Sequence, residues 1–271
     1  MSNLQKQFQG YLNTPSLFEE FYGLQQFELD IKELEQFDSS KLELSSQITL
    51  GRRVEDFFRF YINESSKYDL VKHNIQIIED KQTLGELDFI LFDKKAYKYI
   101  HVEHIYKFYL YDDSIQNEID RYIGPNRNDT LIKKITKLQT KQLPLLYKSA
   151  TSQYLNNIDS DLCDQKVCFK GNIYVPLHLE NSTIPLVNNS CVRGFYLSMK
   201  EFVSKERFRF YEYFLPDKFD WVSNPSSNEI WYSFDEVIQQ IEELLQKKKS
   251  SLVWLKDRKN NIEKSFFVTW W

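Results

Sequence analysis

The chain has 271 residues and a formal net charge of −4, and its 42% hydrophobic and 16% aromatic residues are enough for a sizeable core. These values exclude a disordered or low-complexity chain. They also exclude a protein that coats nucleic acid non-specifically, while leaving room for a local basic patch. No apolar run approaches the roughly 18 residues of a membrane-spanning helix, and residues 1–6 lack the apolar core of a signal peptide. Three cysteines, Cys163, Cys168 and Cys191, are an odd and sparse set. With no signal segment, they point to the reducing cytoplasm.

In chain order, Thr14-Pro15 reads as an N-cap followed by proline at the first helical position and predicts a helix to about Tyr22. From Gly51, the residues Val54, Phe57, Phe58, Tyr61 and Ile62 recur at helical spacing and predict a second helix. Strands are expected near Ile75 to Ile78 and Leu87 to Phe92, then a turn at Asp93-Lys94-Lys95, then a strand from about Tyr97 to Leu110. Gly124-Pro125-Asn126 reads as a turn. Asn128 or Asp129 then caps a helix running to about Leu143, with Leu131, Ile135, Leu138 and Leu145 as its apolar stripe. Asn172 to Pro176 and Phe208 to Leu215 read as strands. Ser198 with Glu201, and Ser233 with Glu236, show the pattern of a capping box. The second box opens a helix carrying Val237, Ile238, Ile241, Leu244 and Leu245, and Phe266 to Trp271 reads as a final strand. No internal repeat and no Pro/Gly/Ser linker interrupts the chain. One domain is therefore expected, with a core over about residues 50–180 and a C-terminal elaboration over about 181–271.

The chemistry concentrates between Gly85 and Leu110. Side chains alternate faces along a strand, so Glu86 and Asp88 share a face. On the next strand His101, Glu103, Ile105 and Lys107 share a face. Val102, Tyr106 and Phe108 alternate with them and are apolar, which predicts that Asp88 and Glu103 are at least partly buried. A buried carboxylate is costly unless it is paired, hydrogen-bonded or bound to metal. Two acids on neighbouring strands suit a hard divalent cation beside a phosphate.

Glu55 is a third acid, three residues before Phe58 and seven before Ile62, on a helical face with apolar residues. Its other reading is a solvated position at the helix edge. Lys107 is the candidate phosphate-facing cation, or else a strand-end lysine snorkelling to water. Gln142 falls inside an apolar stripe and is either satisfied in the core or facing a site. The same helix carries Lys133, Lys134, Lys137 and Lys141. Such a face is ordinarily solvated, but beside an acidic metal site it also suits a nucleic-acid backbone.

A helix with Glu55, then Gly85-Glu86-Leu87-Asp88, then Val102-Glu103, then a helix with Lys and Gln resembles the PD-(D/E)XK nuclease superfamily. The chain is similar more closely still to a bacterial family known as domain of unknown function family 1853. That likeness runs through Leu50-Gly51-Arg52 with Glu55, Thr83 to Phe89, Glu103, and Lys107 to Leu110. It continues through Gly124-Pro125-Asn126 with Asp129, Lys134, Leu138 and Gln142-Leu143, then Lys170-Gly171 and Arg193 to Tyr196.

The resemblance implies an α/β fold: a nuclease-like core built as a mixed four-stranded sheet flanked by helices, with a mixed α+β C-terminal elaboration. It implies a nuclease that hydrolyses phosphodiester bonds in DNA, with Mg²⁺ or Mn²⁺ as cofactor. Asp88 and Glu103 would be the metal ligands, and Glu55 would help hold the metal or its water. Lys107 would position the water or neutralise the phosphate. Glu86 would be accessory, and Lys134, Lys137 and Gln142 would meet the substrate. The superfamily places lysine two residues after the second acid, where this chain has Ile105. Lys107 stands two strand residues, about 6.6 Å, further along the same face. His101, on the Glu103 face, and His104, on the opposite one, are accessory or core residues. The alternative is a catalytically inactive nuclease-fold module that binds nucleic acid or a protein partner. Ile105 and the net charge favour the alternative, and the three retained acids favour the enzyme.

Weaker signals have plainer readings. Cys163 and Cys168, with His178 and Cys191, are spaced more widely than a C-x2-C turn and read as unpaired thiols rather than a zinc site. The alternation of Arg207, Phe208, Arg209, Phe210, Tyr211 and Tyr213 reads as a strand with one packed face rather than a base-stacking platform.

Overall fold

The computed structural model describes residues 2–30, 41–42, 44, 49–225, 228–257, 259 and 261–271. The elements are α1 (Asn3–Leu12), β1 (Glu20–Phe21), β2 (Leu24–Gln25), α2 (Leu50–Glu64), β3 (Tyr68–Glu79), β4 (Gln82–Asp93), β5 (Lys98–Tyr111) and β6 (Tyr122–Ile123). They continue with α3 (Leu131–Lys137), α4 (Ser149–Leu155), β7 (Asp164–Pro176), β8 (Val192–Ser198), α5 (Met199–Ser204), β9 (Glu212–Phe214), α6 (Phe234–Gln246), β10 (Ser251–Lys256) and β11 (Ile262–Thr269). A π-helical turn (Leu138–Gln142) and a 3-10 turn (Leu143–Tyr147) prolong α3.

The fold is α/β, a large mixed sheet flanked by helices. Among the described residues that sheet has nine strands, not the expected four. Its hydrogen-bonded order is β3-β4-β5-β7-β8-β11-β10-β9, with β6 on β5. β8 runs parallel to both β7 and β11, while the β3-β4 and β10-β11 pairs are antiparallel. Pairings such as Phe195 with Phe266 join residues far apart in sequence, which local periodicity cannot announce.

Contacts divide the chain into two compact units. The first comprises Met1–Pro15, Lys107–Ile132 and Gly171–Trp271, and the second Ser16–Tyr106 and Lys133–Lys170, so the chain changes unit four times. Strands β5 and β7 contribute residues to both.

In the second unit, α2 starts where Thr49 Oγ1 accepts the Arg52 N–H. Its predicted apolar residues Val54, Phe57, Phe58, Tyr61 and Ile62 are all buried. Phe58 packs edge-on against Phe89 at 4.7 Å and lies 5.1 Å from the His104 ring. The segment after α3 packs through Leu145, Leu146 and Leu155 on Ile77, Leu87 and Ile90. Gly85 permits that approach, because a Cβ there would lie 2.8 Å from Leu145 Cδ2. Gly85→Val is therefore expected to push the 3-10 turn off β4 and lower stability by about 1–3 kcal/mol in a urea titration. An unchanged midpoint would show that Leu145 yields without cost.

Residues 14–22 do not form the expected helix. The Thr14 hydroxyl does not cap forward but donates back to the Gly10 carbonyl at 2.8 Å, closing α1. The following segment is extended: Leu17 N–H reaches the Phe169 carbonyl at 2.8 Å, and β1 pairs with β2.

In the first unit, a capping box between Ser2 and Gln5 opens α1. Asn3 and Gln7 donate to Asp220 Oδ1 at 3.0 and 2.7 Å. Gly10 sits so close that a Cβ would meet the Val222 carbonyl oxygen at 1.8 Å. Both predicted capping boxes are present, Ser198–Glu201 opening α5 and Ser233–Glu236 opening α6. These helices close over a core that includes Phe195, Phe202, Tyr213, Val237, Ile241 and Phe266.

The strand expected from Phe208 is a 3-10 turn over Glu206–Phe210, and only Glu212–Phe214 is extended. The Tyr213 hydroxyl donates to the Phe208 carbonyl and closes that turn. Arg207 and Arg209 lie over the Phe208 and Phe234 rings, each at 4.9 Å. Among the described residues no helix is long and apolar enough to cross a membrane.

Candidate functional site

Asp93 Oδ1 accepts the N–H groups of Lys95 and Ala96, both at 2.9 Å, and this tightens the turn between β4 and β5. The register from Asp93 with Lys98 to Phe89 with Val102 makes Asp88 and Glu103 the next residues on the two strands. There the ladder is taken over by a side chain: His104 N–H donates to Asp88 Oδ2 at 2.9 Å. Asp88 is half-buried, and Glu103 is fully buried.

Glu103 is held at both oxygens. The Gln142 amide nitrogen donates to Oε2, and His101 Nε2 lies 3.1 Å from Oε1. The protonation of His101 follows from its other side. Gln165 Nε2 lies 2.8 Å from the Leu143 carbonyl, which can only accept, so that atom is the amide nitrogen. The same nitrogen lies 3.0 Å from His101 Nδ1. Nδ1 therefore accepts, the proton sits on Nε2, and neutral His101 donates to Glu103. Lys134 Nζ donates to Gln142 Oε1 at 2.9 Å, which fixes the Gln142 amide with its nitrogen toward Glu103. Residues seven apart share a face of an α-helix. The π turn takes up one more residue, and so brings Gln142 beneath Lys134 at a spacing of eight. Such turns are frequent at functional sites.

Gln165 gave no sequence signal, because a lone amide near the start of a strand has no pattern to break. Gln165→Leu would leave the Leu143 carbonyl and His101 Nδ1 without their donor. A loss of about 1–3 kcal/mol is expected in chemical denaturation, and an unchanged midpoint would show that water replaces the amide.

Burial dominates the electrostatics. It raises Glu103 to about 7, opposed by Lys134, by hydrogen bonding from Asp88 and by Lys137. Burial, then repulsion from Glu103, raises Asp88 well above the ordinary carboxylate range, and Glu55 adds to this. Burial lowers His101 to about 4 and, with Lys170 and Lys134 nearby, lowers His104 to about 3. Glu55 is raised by burial against the pull of Arg52. Arg52 lies 2.7 Å from Glu55 and 3.8 Å from Glu86. Asn74, held at a positive φ of 51° within β3, donates to Glu86 at 2.9 Å.

The structure thus brings Glu55, Glu86, Asp88, His101, Glu103, Lys134, Lys137 and Gln142 into one interacting set within the second unit. Lys107 belongs to the first unit and donates to Asp129 at 2.6 Å. Ile105, at the position where the nuclease pattern has lysine, is buried. His104, expected as an accessory or a core residue, packs its ring against Phe58 and Phe89, while its backbone N–H donates to Asp88.

Among the described residues no group of three or more His, Cys, Asp and Glu side chains is arranged to hold a metal ion. A two-carboxylate arrangement does not need one, because Mg²⁺ is commonly bound by one or two carboxylates with substrate phosphate and water completing its shell. The oxygen donors of Asp88 and Glu103 fit that chemistry, and a cation would relieve the repulsion that raises Asp88.

These residues define an α/β protein with a carboxylate pair, Glu103 buried and Asp88 half-buried, and with Lys134 linked to it through Gln142. The chain belongs to the family described as Domain of unknown function (DUF1853), which matches residues 6–267. Neither a curated protein nor a solved structure matches the chain.

Proposed function

We propose that the second unit is a divalent-cation-dependent nuclease of the PD-(D/E)XK type, hydrolysing phosphodiester bonds in DNA. The observation that carries this reading is geometric: Asp88 and Glu103 follow the Phe89–Val102 pair on adjacent strands, Asp88 takes the His104 N–H, and Arg52 links Glu55 of α2 to Glu86 on the same strand as Asp88. The unit's share of the sheet, β3, β4 and the leading parts of β5 and β7, supports the same reading as a four-stranded core.

Asp88 and Glu103 would hold Mg²⁺ or Mn²⁺, which when bound supplies an acidified water and charge neutralisation at the phosphate. The rest falls to the chain itself. His101 and Gln142 fix the Glu103 carboxylate, so its oxygens need no reorganisation when substrate arrives. Lys134, rather than Lys107, provides the positive charge facing the acids. Lys137 adds to that field at Glu103, and both suit the substrate backbone. Glu55, steadied by Arg52, orients the attacking water.

One observation favours the alternative of a nuclease fold that binds without cutting: both Glu103 oxygens already accept hydrogen bonds. Calorimetric titration with Mn²⁺, followed by cleavage assays on plasmid and single-stranded DNA with the same samples, separates the two. Saturable cation binding with cleavage supports the enzyme. No binding at about millimolar Mn²⁺ by folded protein removes the enzyme and leaves the binding module.

A further inference from the structure

We infer that Asn74 is a positioning residue: its left-handed backbone turns Asp88 edge-on to β5, the strand that carries Glu103. The inference rests on the reading of Asp88 as a cation ligand. Among the described residues, Asn74 is the one non-glycine residue inside a strand with a positive φ, 51°, and others such as Asp80, Lys81 and Tyr97 stand in turns. That conformation is uncommon for a residue with a side chain, although asparagine enters it more readily than most. Strain of this kind gathers at functional sites.

The faces of β3 and β4 show what the conformation does. Ile75 pairs with Leu87 and Ile77 with Gly85, and Ile75, Ile77 and Leu87 pack with Leu145. Regular alternation would place the next pair, His73 and Phe89, on that face too. Instead Ile90 takes it, and its partner Lys72 donates to the Tyr154 carbonyl. Phe89 turns the other way, onto Phe58 of α2, with the His73 ring stacked on it at 6.4 Å. Both strands therefore exchange faces at one place, the pair Asn74 and Asp88.

A side chain at such an exchange stands between the two faces and points along the sheet. On β4 that residue is Asp88, and its carboxylate accepts the His104 N–H of β5 just where the ladder stops, after Phe89 with Val102. On β3 it is Asn74, whose positive φ lets β3 change faces in step with β4 and keep its register on both sides. Irregularities of this kind re-aim side chains next to active sites. The Asn74 carboxamide lies 2.7 Å from His73 Nδ1 and donates to Glu86 Oε1 at 2.9 Å, which holds the residue in place.

The test compares Asn74→Gly with Asn74→Val in the full-length protein. Both lose the carboxamide. Only glycine keeps easy access to a positive φ, while valine is the better strand former. A merely structural strand position would favour valine, and the expected order is the reverse. Asn74→Gly should keep Mn²⁺ affinity within about threefold of the wild type by calorimetry, and Asn74→Val should lose about 10–100-fold. By heteronuclear NMR in chelator, the His104 amide proton should hold its position in Asn74→Gly and move upfield in Asn74→Val, as its bond to Asp88 opens. Where Asn74→Val does not fold, Asn74→Ala, which also resists the left-handed region, is read in its place. The amide reports on Asp88 without any cation. Absence of Mn²⁺ binding by the wild type therefore removes the nuclease reading and leaves this inference to be decided by the His104 signal. A His104 amide unmoved in the valine or alanine variant, or Asn74→Gly losing as much Mn²⁺ affinity as Asn74→Val, overturns the proposal.

Discussion

Asparagine in place of Asp88 is expected to remove divalent-cation binding and DNA cleavage together. The substitution is nearly isosteric, and the carbonyl oxygen of the new amide keeps the hydrogen bond from the His104 N–H. What is lost is one of two anionic ligands. Changes in residues that merely orient a ligand already cost about 10–100-fold in metal affinity, so losing the ligand should cost more than about 100-fold, read by Mn²⁺ calorimetry. In the wild type, cation binding must displace the proton that burial favours on this pair. Affinity should therefore rise as pH climbs through about 7, where Glu103 gives up its proton. Cleavage that survives Asp88→Asn, or a cation affinity that is flat between pH 6 and 8, would sink the assignment of this pair as the metal site.

The same variant is expected to be more stable than the wild type at alkaline pH when both are held in chelator. Asp88 and Glu103 have folded-state proton affinities raised above their unfolded values. Their contribution is fully present below the unfolded values and is lost as pH rises through the folded ones. For Glu103, a rise from the ordinary 4.5 to about 7 corresponds to a loss on the order of 3 kcal/mol, at about 1.4 kcal/mol per pH unit. The two histidines act in the opposite sense. His101 and His104 are lowered to about 4 and about 3, so their contribution is complete above 6.5 and is lost as pH falls toward those values.

Between 4.5 and 6.5 the two trends oppose each other, and above 6.5 only the carboxylates' slope remains. Asp88→Asn removes the repulsion and supplies an amide N–H to Glu103. Its advantage should be present at pH 8 and shrink at pH 5, measured by urea unfolding, because the cost of ionising the half-buried Asp88 is gone. Glu103→Gln should gain less, because His101 and Gln142 would both remain donors facing a side chain with one acceptor. Equal effects of Asp88→Asn at both pH values would show that the carboxylates do not share a proton.

Much of this site was legible from residue order alone. The α2 stripe, the three strands of the β3-to-β5 meander and both serine capping boxes follow from spacing. Glu103 and Asp88 were recognisable as buried acids because apolar residues alternate with them, and Gln142 because it interrupts an apolar stripe. The misplaced elements share a physical cause. Thr14-Pro15 has the chemistry of a helix start, but its hydroxyl is spent on the preceding helix. The Arg207 to Tyr213 alternation has the period of a strand, but a tyrosine hydroxyl closes a turn within it.

Nearness in sequence singled out Lys107 as the site's cation, and an ion pair with Asp129 occupies it. Lys134 is linked to Glu103 through Gln142, at a spacing set by the π turn, and a helical irregularity of one residue leaves no mark in composition. The five strands beyond the expected four arise from pairings such as β8 with β11, whose partners lie about 70 residues apart.

Helix α1 cannot be seated until a segment far downstream of it has been made. Asp220, which receives Asn3, lies 217 residues downstream. At translation rates of roughly 5–20 residues per second, about 10–40 s pass between synthesis of the two. During that interval α1, whose Phe8, Tyr11 and Leu12 are buried in the finished protein, lacks the Asp220 carboxylate that anchors Asn3 and Gln7. The second unit ends at Lys170, so all of it has been synthesised while the first still lacks residues 171–271. Production of this protein should therefore depend on translation speed and on holdase chaperones far more than its equilibrium stability would indicate.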